Sequence, residues 1–289
     1  MLIDMGPMLR RAKQENFGII ATCPMSIEQV KWCYEAADRM NAPLILCSHA
    51  SLQFNLPVPE IASAAKFYAE KFARIPSALC LDHSDSLEAA ENAILAGFTG
   101  VMVDRSMCDL ETNIRIVREA AKMSHAAGVA IEGAVGGVAW RDPTHDEIEA
   151  HLSKVEDVKR FVEETSADAV AVAVGSSHGD TKYNRGYSSE TLLHYDLIRQ
   201  LHDCSDAALV IHGTSFTGDA KIAETAKCGM TKFNVGKDIM LGALKNLGLY
   251  CDETEDALRT LDGMNSAIRE GYIRRVCEYM QIVNSQNRI

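Results

Sequence analysis

Short apolar, β-branched runs alternate with helical patterns along the whole chain. The runs fall near residues 17–22, 43–48, 77–82, 100–104, 129–135, 168–175, 207–213 and 231–236. Their interiors are almost continuously apolar, as in Ser77–Leu81, Ala169–Val174 and Ala207–Ile211. That pattern marks parallel strands covered on both faces, because a half-exposed strand would alternate. The segments between them carry helical signals. Ser26-x-x-Gln29 reads as a capping box, followed by Val30, Cys33, Tyr34 and Ala37 on one face. Ser86 caps a helix that Gly97 ends, Leu110, Ile114, Val117 and Ala121 form a stripe, and Gly229 closes the helix before the last strand. Eight strands with seven intervening helical segments and a helical tail predict an α/β fold, a single (β/α)8 TIM barrel over residues 1–289. A doubly wound open sheet is weaker, since no Gly-x-Gly-x-x-Gly follows the first strand.

The barrel reading places two long loops, 136–155 and 176–189, on the rim at the strands' C-terminal ends, where such barrels build their sites. The same rim collects Cys23, Ser48, Asp82, His83, Asp104, Glu132, His178, His212 and Asn234. Three strand-end histidines, His83, His178 and His212, suit a catalytic zinc ion with an open position. A lone one would read as a hydrogen-bonded structural residue. The other six histidines, His49, His125, His145, His151, His194 and His202, are expected in loops or helices, solvated or at an interface. Asp82 beside His83 can shuttle a proton or orient a ligand, and the first role is favoured. Small residues after the last two strands, His212-Gly213-Thr214-Ser215 and Asn234-Val235-Gly236-Lys237, predict a phosphate site, with Gly179 and Lys182 adding to it. Metal, phosphate and carboxylate together suit retro-aldol cleavage of a phosphorylated ketone.

Composition narrows the partners. The chain has 289 residues and a net charge of −11 without a basic stripe, which argues against nucleic acid. No apolar run approaches the ~20 residues needed to span a bilayer, and no secretory leader pattern is visible. Nine cysteines without a Cys-x-x-Cys read as reduced thiols, many buried, in a cytoplasmic protein. The expected partner is a small sugar phosphate.

The chain resembles the class II, zinc-dependent ketose-bisphosphate aldolases of the fructose/tagatose-bisphosphate group over nearly its full length. The resemblance rests on Leu81-Asp82-His83, Gly100 to Ser106, Ser177-His178-Gly179, Leu209 to Ser215 and Phe233-Asn234-Val235-Gly236. It implies Asp82 as proton donor and His83, His178 and His212 as ligands of Zn2+. It implies that Gly179, Gly213, Thr214, Ser215, Asn234, Val235, Gly236 and Lys237 hold dihydroxyacetone phosphate, that Lys182 matches a family lysine, and that Arg274 or Arg275 serves a second phosphate. A homodimer or homotetramer is implied too. The chain also departs from the pattern. Cys23 stands where the family carries an asparagine, Ala134 where it carries a second glutamate, and Ala139, Trp140 and Arg141 where it carries acidic loop residues, with Asp142 or His145 as possible substitutes. These departures keep two other readings open: a sugar-phosphate epimerase or isomerase, and a non-catalytic aldolase-associated subunit.

Overall fold

A computed structural model describes residues 2–49, 55–137, 145–176, 192–215, 217–253 and 260–289. The strands are β1 (Ile19–Thr22), β2 (Leu44–His49), β3 (Ser77–Ser84), β4 (Gly100–Val103), β5 (Ala130–Val135), β6 (Ala169–Val172), β7 (Ala208–Ile211) and β8 (Met230–Val235). Each pairs in parallel with the next, and β8 closes on β1. This is the TIM barrel that the apolar periodicity predicts.

Alternation within the strands divides the apolar residues between two cores. Ile20, Leu44, Leu46, Leu79 and Leu81 face outward against the helices. Ile19, Ala21, Ile45, Cys47, Ala78, Cys80, Met102, Ala169, Ala171 and Val210 fill the interior. Both faces are dry, so the strands read as unbroken apolar runs. The interior is floored by a helix that periodicity does not reveal, α1 (Met5–Gln14), whose Met5, Met8, Leu9 and Ala12 join the inner core. Its fit is tight: a Cβ on Gly100 would lie 2.7 Å from Cε of Met5.

The outer helices begin and end at the expected signals. Ser26 caps α2 (Ile27–Met40) by accepting from the Gln29 amide, while Gln29 accepts from the Met25 amide. Ser86 caps α4 (Leu87–Ala96), and Gly97 leaves it with φ of 97°. Asp109 caps α5 (Leu110–Ala126). The remaining helices are α3 (Val58–Lys71), α6 (His145–Ala150), α7 (Val155–Thr165), α8 (Tyr195–Asp203), α9 (Asp219–Lys227), α10 (Lys237–Glu253) and α11 (Leu261–Ile282). No helix among the described residues is long and apolar enough to cross a membrane.

One irregularity shapes the site. β3 continues past its apolar run to Ser84, and its register against β4 shifts between Leu81 and Ser84. His83 sits at φ of 49°, in the left-handed region. This bulge lets consecutive residues Asp82 and His83 both reach the mouth, which regular alternation would forbid.

Candidate active site

His83 and His212 come together from β3 and from just past β7. Nε2 of His83 lies 2.9 Å from Nδ1 of His212. The far nitrogen of each ring is held by a carboxylate: His83 Nδ1 is 2.9 Å from Asp104, and His212 Nε2 is 3.3 Å from Glu132. Two imidazoles whose outer nitrogens are tied back to carboxylates present their inner nitrogens to a common point, as metal-binding histidines do. Two ligand nitrogens of a tetrahedral zinc would be about 3.3 Å apart, so the pair fits an ion with a small separation of the rings. His178, Gly179 and Lys182 lie outside the described residues, as do Ala139, Trp140, Arg141 and Asp142.

Asp82 is buried beside this pair. Asn234 donates to its Oδ1 at 3.1 Å, and Cys23 Sγ lies 3.7 Å from its Oδ2. Burial opposes its charge, but His212, His83, Lys232 and His49 outweigh it and hold the carboxyl down at about 2. Asp82 is therefore a carboxylate at neutral pH. Burial likewise opposes the charge of Asp104, and hydrogen bonds from His83 and Ser106 prevail, keeping it well below the usual carboxylate range. The Oδ1 atom of Asn234 is buried with no hydrogen-bond partner among the described residues. A buried acceptor left open beside a carboxylate is suited to a ligand hydroxyl.

Beneath the histidines lies an ion pair that the sequence reading missed. Lys232 of β8 is fully buried, and its Nζ is 2.7 Å from Oε2 of Glu132. Burial favours the neutral amine, yet Glu132 raises Lys232 well above its ordinary value. The available signal was a charged residue in the middle of a barrel strand. His49 was also missed. It was expected to be solvated or interfacial, but β2 runs one residue past Ser48 and sets His49 in register with Asp82. Its ring centroid lies 5.3 Å from that of His83.

The expected phosphate loops also meet. Thr214 donates to the carbonyl of Asn234 at 2.5 Å, and the Asp238 amide donates to Ser215 Oγ at 3.3 Å. Gly213 turns at φ of 69°, and a Cβ on Gly236 would meet open space. The start of α10 at Lys237 thus opens beside Gly213–Ser215, which is suited to an anion. Val235 is placed differently from its neighbours, because its side chain faces the outer core, away from the mouth. Arg275 is already committed to Asp219, Asp238 and Glu278 and stacks on Tyr279. A second phosphate would have to displace those carboxylates. Arg274 is exposed and donates to Asn246.

Where the family pattern has a second glutamate, Ala134 lines a 190 Å³ cavity with Met102, Ala171, Asp104, His83 and His212. A carboxylate there would reach toward the histidine pair. Its loss leaves a partly apolar space instead.

Barrel, paired histidines and adjoining carboxylate suit an enzyme that cleaves carbon–carbon bonds with the help of a metal. The profile of the class-II fructose-bisphosphate aldolases matches residues 3–288, and the chain belongs to that family. It is 35% identical to a fructose-bisphosphate aldolase of Thermus caldophilus over 74% of this chain and 69% of the relative. It is 27% identical to the fructose-bisphosphate aldolase of Helicobacter pylori (strain J99) over the full length of both. The crystal structure of the YdjI aldolase of Escherichia coli K12 superposes with a TM-score of 0.84 at 23% identity, covering 99% of this chain and 98% of that one. That last likeness supports the fold alone. As a member of the family, the chain is an aldolase, hence a lyase.

Proposed function

We propose that the protein is a zinc-dependent aldolase cleaving a fructose- or tagatose-type ketose (bis)phosphate to dihydroxyacetone phosphate and an aldehyde. The observation that carries this reading is the buried Asp82 carboxylate beside two histidines whose inner nitrogens converge. His83 and His212, with His178 as the third ligand, would hold the ion. When bound, zinc supplies the positive charge that polarises the ketone and stabilises the enediolate.

The chain's own residues handle the proton of the C4 hydroxyl and the phosphate. The Asp82 carboxylate takes the proton of the C4 hydroxyl as the C3–C4 bond breaks. The electrons of that bond move toward C2, the C4 fragment leaves as an aldehyde, and C3 then takes a proton from solvent to complete dihydroxyacetone phosphate while Asp82 gives its own proton up to solvent. In the reverse direction, the same proton returns from Asp82 to the aldehyde oxygen. Asn234 fixes the carboxylate through its amide nitrogen and offers its open Oδ1 to a substrate hydroxyl. The amides of Gly213–Ser215 and of the α10 start, with Gly179, Lys182 and Lys237, receive the phosphate next to the ketone.

The Ala134 cavity and the missing acidic residues at 139–141 favour one second reading, epimerisation by cleavage and re-addition at the opposite face. A panel of ketose phosphates with zinc-reconstituted protein separates the two. Aldol cleavage predicts triose phosphate release, lost on chelation and restored by zinc. Interconversion of epimers without triose phosphate supports the second reading. No reaction and no retained metal would overturn both.

A further inference from the structure

Three cysteines, one just past β1 and one each in β2 and β3, form a row across the barrel interior. Cys47 is in register with Cys80, and the pairing of Thr22 with Leu46 sets Cys23 beside Cys47. Cys80 donates to the carbonyl of Leu81 at 3.3 Å. At the open end of the row, Cys23 is half-buried and meets Asp82. The sulfurs of Cys23 and Cys47 and a carboxylate oxygen of Asp82 all lie within 4.8 Å of one another. This cluster shares only Asp82 with the separate grouping of His49, Asp82 and His83.

Two sulfurs and a carboxylate at that spacing can close on one cation with little rearrangement, and thiolates select soft metals. Cys47 and Asp82 lie within adjacent strands of a closed barrel and Cys23 follows directly on a third, so the sheet holds two of the donors and closely anchors the other. Lys232 is the opposing charge nearby, and Glu132 already neutralises it.

We propose that Cys23, Cys47 and Asp82 form a second metal site for a thiophilic cation such as Cd2+, Cu+ or excess Zn2+. Binding releases the two thiol protons to solvent and leaves both sulfurs as thiolate ligands. Occupation also engages Asp82, so a soft metal at this site blocks proton transfer at the neighbouring one. The inhibition rests on the proton-transfer role proposed above for Asp82, whereas the binding does not.

The test is cadmium titration of the full-length protein after it has received one equivalent of zinc. Thiolate ligation produces a near-ultraviolet charge-transfer absorption that imidazole and carboxylate ligands lack. The wild type should develop this band with the added cadmium. Cys23→Ser and Cys47→Ser should lose it, while Cys108→Ser should keep it. Cys23, being half-exposed, carries the test if Cys47→Ser does not fold, and circular dichroism decides that. Absence of the band in folded wild type, or an undiminished band in folded Cys23→Ser, overturns the site. In parallel, cadmium should abolish wild-type cleavage, and Cys23→Ser should resist it relative to its own starting rate. A band without inhibition keeps the site and refutes the coupling to Asp82. A band in protein that cleaves no ketose phosphate keeps the site while the aldolase assignment fails.

Discussion

At the scale of single residues, charge placement separates the groups that react from those that orient. Asp82 stays ionised because three cationic or potentially cationic rings and Lys232 surround it. Asp82→Asn keeps the shape and the Asn234 contact region but removes the proton acceptor. It should lower the cleavage rate about a hundred- to ten-thousandfold, measured as triose phosphate release, while circular dichroism shows the fold retained. Asp104 and Glu132 do not face the substrate in this account. They tie back the outer nitrogens of His83 and His212. Asp104→Asn should weaken zinc binding by roughly 10- to 100-fold in competition with a chelator, and saturating zinc should restore most of the activity. Lys232 belongs to neither group. Lys232→Met leaves the Glu132 carboxylate buried without its cation and should cost about 3–5 kcal/mol in urea unfolding.

At the scale of elements, the strands and their helices were legible because burial on both faces writes itself into sequence as unbroken apolar runs. The caps at Ser26, Ser86 and Gly97 were legible because local hydrogen bonding dictates them. Helix α1 was not, because its apolar residues precede the first strand and only the closed barrel gives them something to cover. Its weight is testable. Leu9 is fully buried, and Leu9→Ala should cost about 2–5 kcal/mol in urea unfolding if the helix is an integral floor. The placement of Asp82, His83, His212 and the Gly213 and Gly236 turns at the barrel mouth was legible because each follows a strand's apolar residues. His49 and Lys232 were not, since their places depend on register across strands distant in sequence. The bulge at His83 was likewise hidden, being a product of the pairing of β3 with β4.

At the scale of the whole molecule, the mouth of the barrel concentrates depressed carboxylates. Asp82, Asp104 and Glu132 are all held below their ordinary values. In the unfolded chain these groups take up protons near pH 4. Folded, they resist protonation until pH is lower. The unfolded state therefore binds more protons as pH falls, and the stability these groups contribute is lost on the way down from about pH 5 toward about pH 2. Melting temperatures across that range should fall, and Asp104→Asn should flatten the fall. The same concentration of charge serves the reaction. In the proposed mechanism it holds the histidines for a cation and keeps Asp82 ready for a proton.

The central claim is that this mouth generates an enediolate from a phosphorylated ketone with the help of a metal. It is tested most directly without any choice of sugar, by incubating zinc-reconstituted protein with dihydroxyacetone phosphate in deuterated water. The account predicts incorporation of one deuterium at the carbon bearing the hydroxyl, abolished by chelation and restored by zinc. Zinc-loaded, folded protein that binds dihydroxyacetone phosphate yet exchanges no hydrogen would contradict it.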